Sequence, residues 1–190
     1  MPVTSVATFP LGTQAPDFRL PDVVSGKMVS RNDFAGKKAL LVVFHSTRCP
    51  FVLHVQQELA RIGRDYADKG VGIVAISAND ITTHPAESPE NLKAQAEEQG
   101  FLFPVLYDES QETARAYTAV CTPDTFLFDG SGKLVYRGQF DDSRPNSGVA
   151  SDGHDLRAAL DAVLSGGPVS SVQKPSIGCG IKWRDGNAPA

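Results

Sequence analysis

The chain has 190 residues, 41% hydrophobic and 21% charged, with a formal charge of −4, the profile of one soluble globular domain with a full core, with or without a tail. A balance this mildly acidic offers no electrostatic footprint for nucleic acid or an anionic membrane, and no segment approaches the roughly 20 apolar residues of a membrane span. Three cysteines are too few for a disulfide scaffold; with no basic start or apolar core of a signal peptide at the N-terminus, they are expected as free or transiently oxidised thiols in a reducing compartment, the cytoplasm.

Residues 12–34 read as turns and short strands ahead of the core. Ala39-Leu-Leu-Val-Val-Phe44 is an unbroken apolar run, leading into His45, and such a run is expected to be a strand buried on both faces. After Pro50, apolar residues fall at Val52, Val55, Leu59, Ile62 and Tyr66. Steps of three and four mark one face of a helix, with Gly70 as its stop. Val71 to Ser77 is a second buried strand, so the segment is a βαβ unit with parallel strands. Ser88-Pro89-Glu90 opens a helix running to about Gly100. Phe101 to Leu106 is expected as a short strand and Ser110 to Ala119 as a short helix. Phe126 and Tyr136 sit in β-rich runs around Asp129-Gly-Ser-Gly132, the pattern of an antiparallel hairpin. Asp152 to Leu164 reads as the closing helix. We divide the chain into a domain at 1–166, its core starting near residue 12, and a tail at 167–190 whose Trp183 argues for partial packing.

Cys49 stands out chemically. It follows a strand, precedes Pro50 and opens a long helix, placing it at the N-cap. Proline is favoured at the first helical position because its missing N–H has no partner there. A sulfur at that point faces orphan N–H groups and the positive end of the helix dipole, and Arg48 adds charge; these conditions lower a thiol pKa and make the cysteine reactive. The bland alternative is a buried cysteine acting as a small hydrophobe, but a strand-to-helix joint at the carboxyl edge of a sheet is where α/β proteins bind ligands.

The motifs Cys49-Pro-Phe-Val52, Ser77-Ala-Asn-Asp80, Ser88-Pro-Glu-Asn91, Leu106-Tyr-Asp-Glu109, Cys121-Thr-Pro-Asp124, Phe126-Leu-Phe-Asp129, Tyr136-Arg-Gly138, Asp141-Asp-Ser143 and Pro175-Ser-Ile-Gly-Cys179 resemble the peroxiredoxin-like (AhpC/TSA-type redoxin) branch of the thioredoxin-like superfamily, from about Gly12 to Trp183. The resemblance implies an α/β, thioredoxin-like fold: a central mixed β-sheet flanked by helices, an N-terminal β extension and a C-terminal tail. It also implies an antioxidant thiol oxidoreductase with Cys49 as nucleophile, a peroxide or disulfide substrate, an external thiol reductant and no cofactor. The chain departs from many relatives at Ser46, where they carry the second cysteine of a C-x-x-C pair. A hydroxyl forms no disulfide, but it can donate a hydrogen bond to the Cys49 sulfur, as a Thr or Ser does in peroxiredoxins, which favours peroxide chemistry; the other reading makes Ser46 a plain loop residue or cap. Peroxiredoxins also carry a proline where Val42 stands and an arginine that polarises the peroxide; Arg48 and Arg137 are the stand-ins. Thr122-Pro123 matches the loop that faces the active cysteine, with a cis peptide bond implied and a backbone edge offered to substrate.

Two cysteines are candidates to resolve an oxidised Cys49. Cys121 precedes the Thr-Pro loop and is either resolving or merely buried. Cys179, between Gly178 and Gly180, lies in a tail of hinge-like composition, and a mobile tail lets it meet its partner within or between subunits, so a homodimer stays open. An external thiol is the third option. His45, His54, His84 and His154 show no metal-ligand spacing, His54 is expected to pack or face solvent, and Asp141 and Asp142 read as loop or cap residues. Two other readings remain beside the peroxidase: a monothiol disulfide reductase or isomerase, and a non-catalytic redox sensor or binding module.

Overall fold

The computed structural model describes residues 1–5 and 8–189. At its centre lies a five-stranded mixed sheet in the order β6-β5-β4-β8-β9. Strand β4 (Ala39–Phe44) pairs parallel with β5 (Val71–Ser77), and β5 pairs parallel with β6 (Val105–Tyr107). On the other side β4 pairs antiparallel with β8 (Asp124–Asp129), which pairs antiparallel with β9 (Leu134–Arg137).

Every residue of β4 and β5 is buried, and the reason is alternation across two covered faces. Leu41, Val43, Ile73 and Ala75 point toward helices α1 (Pro50–Tyr66), α2 (Pro89–Gln99) and α4 (His154–Ser165). Leu40, Val42, Phe44, Val74 and Ile76 point the other way, onto Phe9, Phe18, the short helix α3 (Glu112–Ala116), Tyr117 and Ile181. Successive strand side chains alternate faces, so a strand covered on both sides loses its polar positions. In α1, Val52, Val55, Leu59, Ile62 and Tyr66 are buried, each large aliphatic contributing about 1.5–3 kcal/mol. Ser88 caps α2 by accepting the Asn91 N–H at 3.3 Å, Pro89 fills its first turn, and Gly100 ends it in the left-handed region.

Boundaries differ from the expected ones for local reasons. The run from Phe101 yields a strand only at Val105, because Pro104 has no N–H for the ladder and Phe101 stacks on Phe103 with ring centroids 4.8 Å apart. Helix α4 starts at His154 because its N-cap, Gly153, is left-handed at φ +64°.

The tail is not a mobile hinge. Strand β10 (Ile177–Gly180) lies between β1 (Pro2–Thr4) and β7 (Cys121–Thr122) in a three-stranded antiparallel sheet, Ile181 is buried, and Trp183 packs against the core. A hairpin of β2 (Arg19–Pro21) and β3 (Met28–Ser30) completes the strands. No helix is long and apolar enough to cross a membrane among the described residues.

Candidate active site

Strand β4 ends at Phe44, and the next five residues turn into α1 with Cys49 as N-cap and Pro50 in the first turn. That turn is held from 41 residues away. The Ser46 hydroxyl donates to Glu87 Oε1 at 2.7 Å. Its oxygen accepts the Cys49 N–H at 3.0 Å and the Arg48 N–H at 3.2 Å. Glu87 also accepts the N–H groups of Thr47 at 3.0 Å and Arg48 at 3.2 Å. Ser46 and Glu87 are both buried. The hydroxyl proton expected at the Cys49 sulfur therefore goes to Glu87, since a carboxylate is the stronger acceptor. Ser46 shapes the loop rather than the thiol.

The Cys49 Sγ–H donates to the Thr122 carbonyl at 3.0 Å, and the Thr122–Pro123 peptide bond is cis. Among the amides before the helix, those of residues 47–49 are taken by Glu87 and Ser46. In the first turn, Pro50 has no N–H, so Phe51 and Val52 carry the orphan amides, and Cys49 makes no cap bond to them. The strand-to-helix joint reads as a ligand-binding position, yet Cys49 is only 3% exposed. What covers it is β10: Cys179 sits opposite Thr122 and Gly180 opposite Cys121. Burial pushes the Cys179 thiol up to about 12, and the neighbouring Cys49 adds to this through a thiol–thiol hydrogen bond and its charge. All three cysteines thus gather around a two-residue strand.

Cys121 is wholly buried, its Sγ 3.6 Å from the Pro123 carbonyl. Burial, then the Asp124 carboxylate, raises its pKa far above the ordinary thiol range. The two candidate arginines are placed differently. Arg48 is exposed at the helix start. Arg137 is buried and held at 3.0 Å from Asp124, donates to the Thr118 carbonyl at 2.9 Å, and lies 4.5 Å over the Phe126 ring. Its charge acts on Cys121.

Sequence reasoning missed Glu87 and the polar bracket behind the turn. His45 is buried and bonded through Nε2 to Gln95 Oε1 at 2.8 Å, and Gln95 Nε2 donates to the Ser46 carbonyl at 3.4 Å. Burial lowers the His45 pKa and keeps the ring neutral. His54 neither packs alone nor faces only solvent: its Nε2 lies 2.8 Å from Ser143 Oγ, which itself donates to the buried Asp141. Among the described residues Asp142, His154 and Asp155 bring possible ligand atoms within 4.8 Å of one another. That cluster is at the surface, far in composition from the thiol site, and Lys174 Nζ already binds Asp142 at 2.6 Å.

The chain is similar to known proteins in sequence and in structure. The thiol-disulfide oxidoreductase ResA of Bacillus anthracis is 30% identical over 125 residues, 66% of this chain and 67% of its own. A crystal structure of a conserved protein from Geobacillus kaustophilus superposes with a TM-score of 0.94 at 54% identity, covering 97% of each chain. A Sinorhizobium meliloti 1021 protein follows at 0.92 and 49%, covering 96% of this chain and 98% of that one. Residues 11–137 match the AhpC/TSA family, which takes in the sheet, α1 and the Thr-Pro loop; the chain belongs to that family and is a thiol oxidoreductase of thioredoxin-like fold.

Proposed function

We propose that the chain is a peroxiredoxin-like antioxidant enzyme in which Cys49 reacts with a small hydroperoxide and Cys179 resolves the product. One juxtaposition carries this reading: Cys179 faces Thr122 across the strand pair, and the carbonyl of Thr122 holds the Cys49 thiol. A sulfur that loses its proton can no longer donate to that carbonyl, and the start of α1, where the Phe51 and Val52 N–H groups have no partner within the helix, is the end at which the helix dipole favours an anion. In the first step the Cys49 sulfur attacks one peroxide oxygen, an S–O bond forms, the O–O bond breaks, and the thiol proton leaves with the departing oxygen as an alcohol or water. Cys49 is then a sulfenic acid. In the second, the Cys179 sulfur attacks that sulfur; the S–O bond breaks, and the Cys179 proton leaves with the hydroxide as water. The Cys49–Cys179 disulfide takes two electrons from an external thiol reductant, itself oxidised to a disulfide, to close the cycle.

Similarity to ResA favours one variation, in which the same pair exchanges with a disulfide rather than a peroxide. Ser46 excludes an intramotif disulfide either way. Three free thiols suit a reducing compartment, and we place the protein in the cytoplasm. The test is mass spectrometry after one equivalent of hydrogen peroxide. Wild type and Cys121→Ser are expected to lose two hydrogens and show a 49–179 bridge, Cys179→Ser to gain one oxygen at Cys49, and Cys49→Ser to stay unmodified. First oxidation at Cys121, or a 49–121 bridge, overturns the assignment.

A further inference from the structure

We propose that β10 occupies the docking edge an extended polypeptide would need beside Cys49, and so restricts the enzyme to small oxidants. The inference rests on Cys49 being the reacting sulfur. A strand edge beside a nucleophile is a ready template for an incoming extended chain, which pairs through its main chain. Here β7 is that edge, since its Thr122 carbonyl is 3.0 Å from the Cys49 sulfur. The chain fills the edge itself: Cys179 pairs with Thr122 and Gly180 with Cys121, and β1 pairs with the outer side of β10.

The fit is close enough to dictate sequence. A Cβ at residue 178 would lie 1.9 Å from the Thr122 oxygen and 2.6 Å from its carbonyl carbon. Gly178 is not among the glycines with positive φ, so it is required for close approach and not for an unusual backbone. Any side chain there prises β10 off Thr122.

The strand is also tied at both ends. Before it, the buried Ser176 donates its hydroxyl to the Gly138 carbonyl at 2.8 Å. After it, the Ile181 N–H donates to the Val120 carbonyl at 3.2 Å, and the Lys182 N–H donates to Asn79 Oδ1 at 2.9 Å. The Lys182 carbonyl accepts from the Asp80 N–H at 2.8 Å and from Gln111 Nε2 at 2.9 Å. Cys49 beneath the strand is only 3% exposed, which leaves no room for a folded protein's disulfide while β10 is in place.

The experiment uses the full reduced chain with two probes, hydrogen peroxide and insulin, each followed at Cys49 by mass spectrometry of quenched samples. Wild type is expected to be oxidised by peroxide and to form no mixed disulfide with insulin. In Gly178→Ala the ratio of insulin to peroxide rates should rise at least about tenfold, equivalent to about 1.4 kcal/mol of strand pairing lost. Ser176→Ala, which releases only the upstream anchor, should move the ratio the same way by less, and it serves if Gly178→Ala does not fold. Hydrogen exchange over 177–181 reports whether the strand has loosened. Reaction of the wild type with both probes at comparable rates overturns the inference and leaves Cys49 as nucleophile; so does a loosened strand with an unchanged ratio. Silence of Cys49 toward peroxide in every variant removes the functional reading itself.

Discussion

Ser46→Ala separates a hydroxyl that serves the sulfur from one that serves the loop. In the structure the hydroxyl donates to Glu87 and accepts from the amides of Arg48 and Cys49. Removing it strands the Cys49 N–H, whose residue is 3% exposed, and a buried donor left unpaired costs about 1–3 kcal/mol. Glu87 loses its hydroxyl donor but keeps the Thr47 and Arg48 amides, which adds about 1 kcal/mol. The sum, about 2–4 kcal/mol, corresponds to a fall in Tm of roughly 4–16 °C for a chain of this size. The assay is a thermal melt of reduced protein at pH 7, paired with the peroxide rate of Cys49. Glu87→Gln should lower Tm as well, because the Thr47 and Arg48 N–H groups bind different carboxylate oxygens and an amide keeps only one. An unchanged Tm in Ser46→Ala, together with a large change in Cys49 reactivity, would falsify this account and return the hydroxyl to the sulfur.

Breaking the buried Arg137–Asp124 pair by Asp124→Asn should destabilise by about 3–5 kcal/mol, read from urea midpoints, because it removes the carboxylate from a buried ion pair; a loss under 1 kcal/mol would contradict the pairing. His45 has a depressed pKa because of its burial, so its contribution to stability is complete above about pH 6.5 and declines as pH falls below that value; His45→Gln should flatten that limb of a pH–stability curve. For Asp141, burial works to raise the pKa, but hydrogen bonds from Ser143, Ser151 and the Gly153 N–H outweigh it and hold it below the usual range. Its stabilisation is therefore present above about pH 4 and lost on further acidification, and Asp141→Asn should remove that dependence. Cys179, pushed up to about 12, contributes stability below the unfolded thiol value of about 8.5 that is lost as pH rises toward 12. In Cys49→Ser the thiol–thiol contact is gone, so the pH midpoint for alkylating Cys179 should drop; an unmoved midpoint would show that the two sulfurs do not interact.

Much of the fold was readable because its signals are local. Six consecutive apolar residues in β4, the run from Val71 to Ile76 in β5, and three- and four-residue spacing in α1 each report an environment that extends along the element itself. Ser88, Pro89 and Gly100 bracket α2 by cap chemistry that needs no tertiary partner. The failures that bear on the site are long-range. Glu87 reaches Ser46 across 41 positions, and nothing in its neighbours distinguishes it from a solvated loop acid. Gly178-Cys179-Gly180 reads as a hinge, yet glycine serves flexibility and close approach with one spelling. Only the Thr122 carbonyl, 1.9 Å from where a Cβ would stand, tells the two apart. Cys49 was correctly placed at a helix N-cap, whereas its cover comes from a strand 130 residues away and left no trace near it.

The three cysteines show how position around one short strand sorts identical side chains into different chemistry. Cys49 meets β7 from the N-cap of α1, where the first-turn amides of Phe51 and Val52 have no partner within the helix. Cys179 meets it from across an antiparallel pair, where a thiol is half-buried and able to face Cys49. Cys121 is in the strand itself, wholly buried beside Asp124, so forming its thiolate opposes both desolvation and a nearby carboxylate. Residence in the strand therefore disfavours Cys121 as a resolving group even though it is the nearer in sequence to the Thr-Pro loop. The same geometry explains how a sealed sulfur remains compatible with redox chemistry. In the proposed cycle the strand that covers Cys49 excludes large molecules and also carries the second thiol, Cys179.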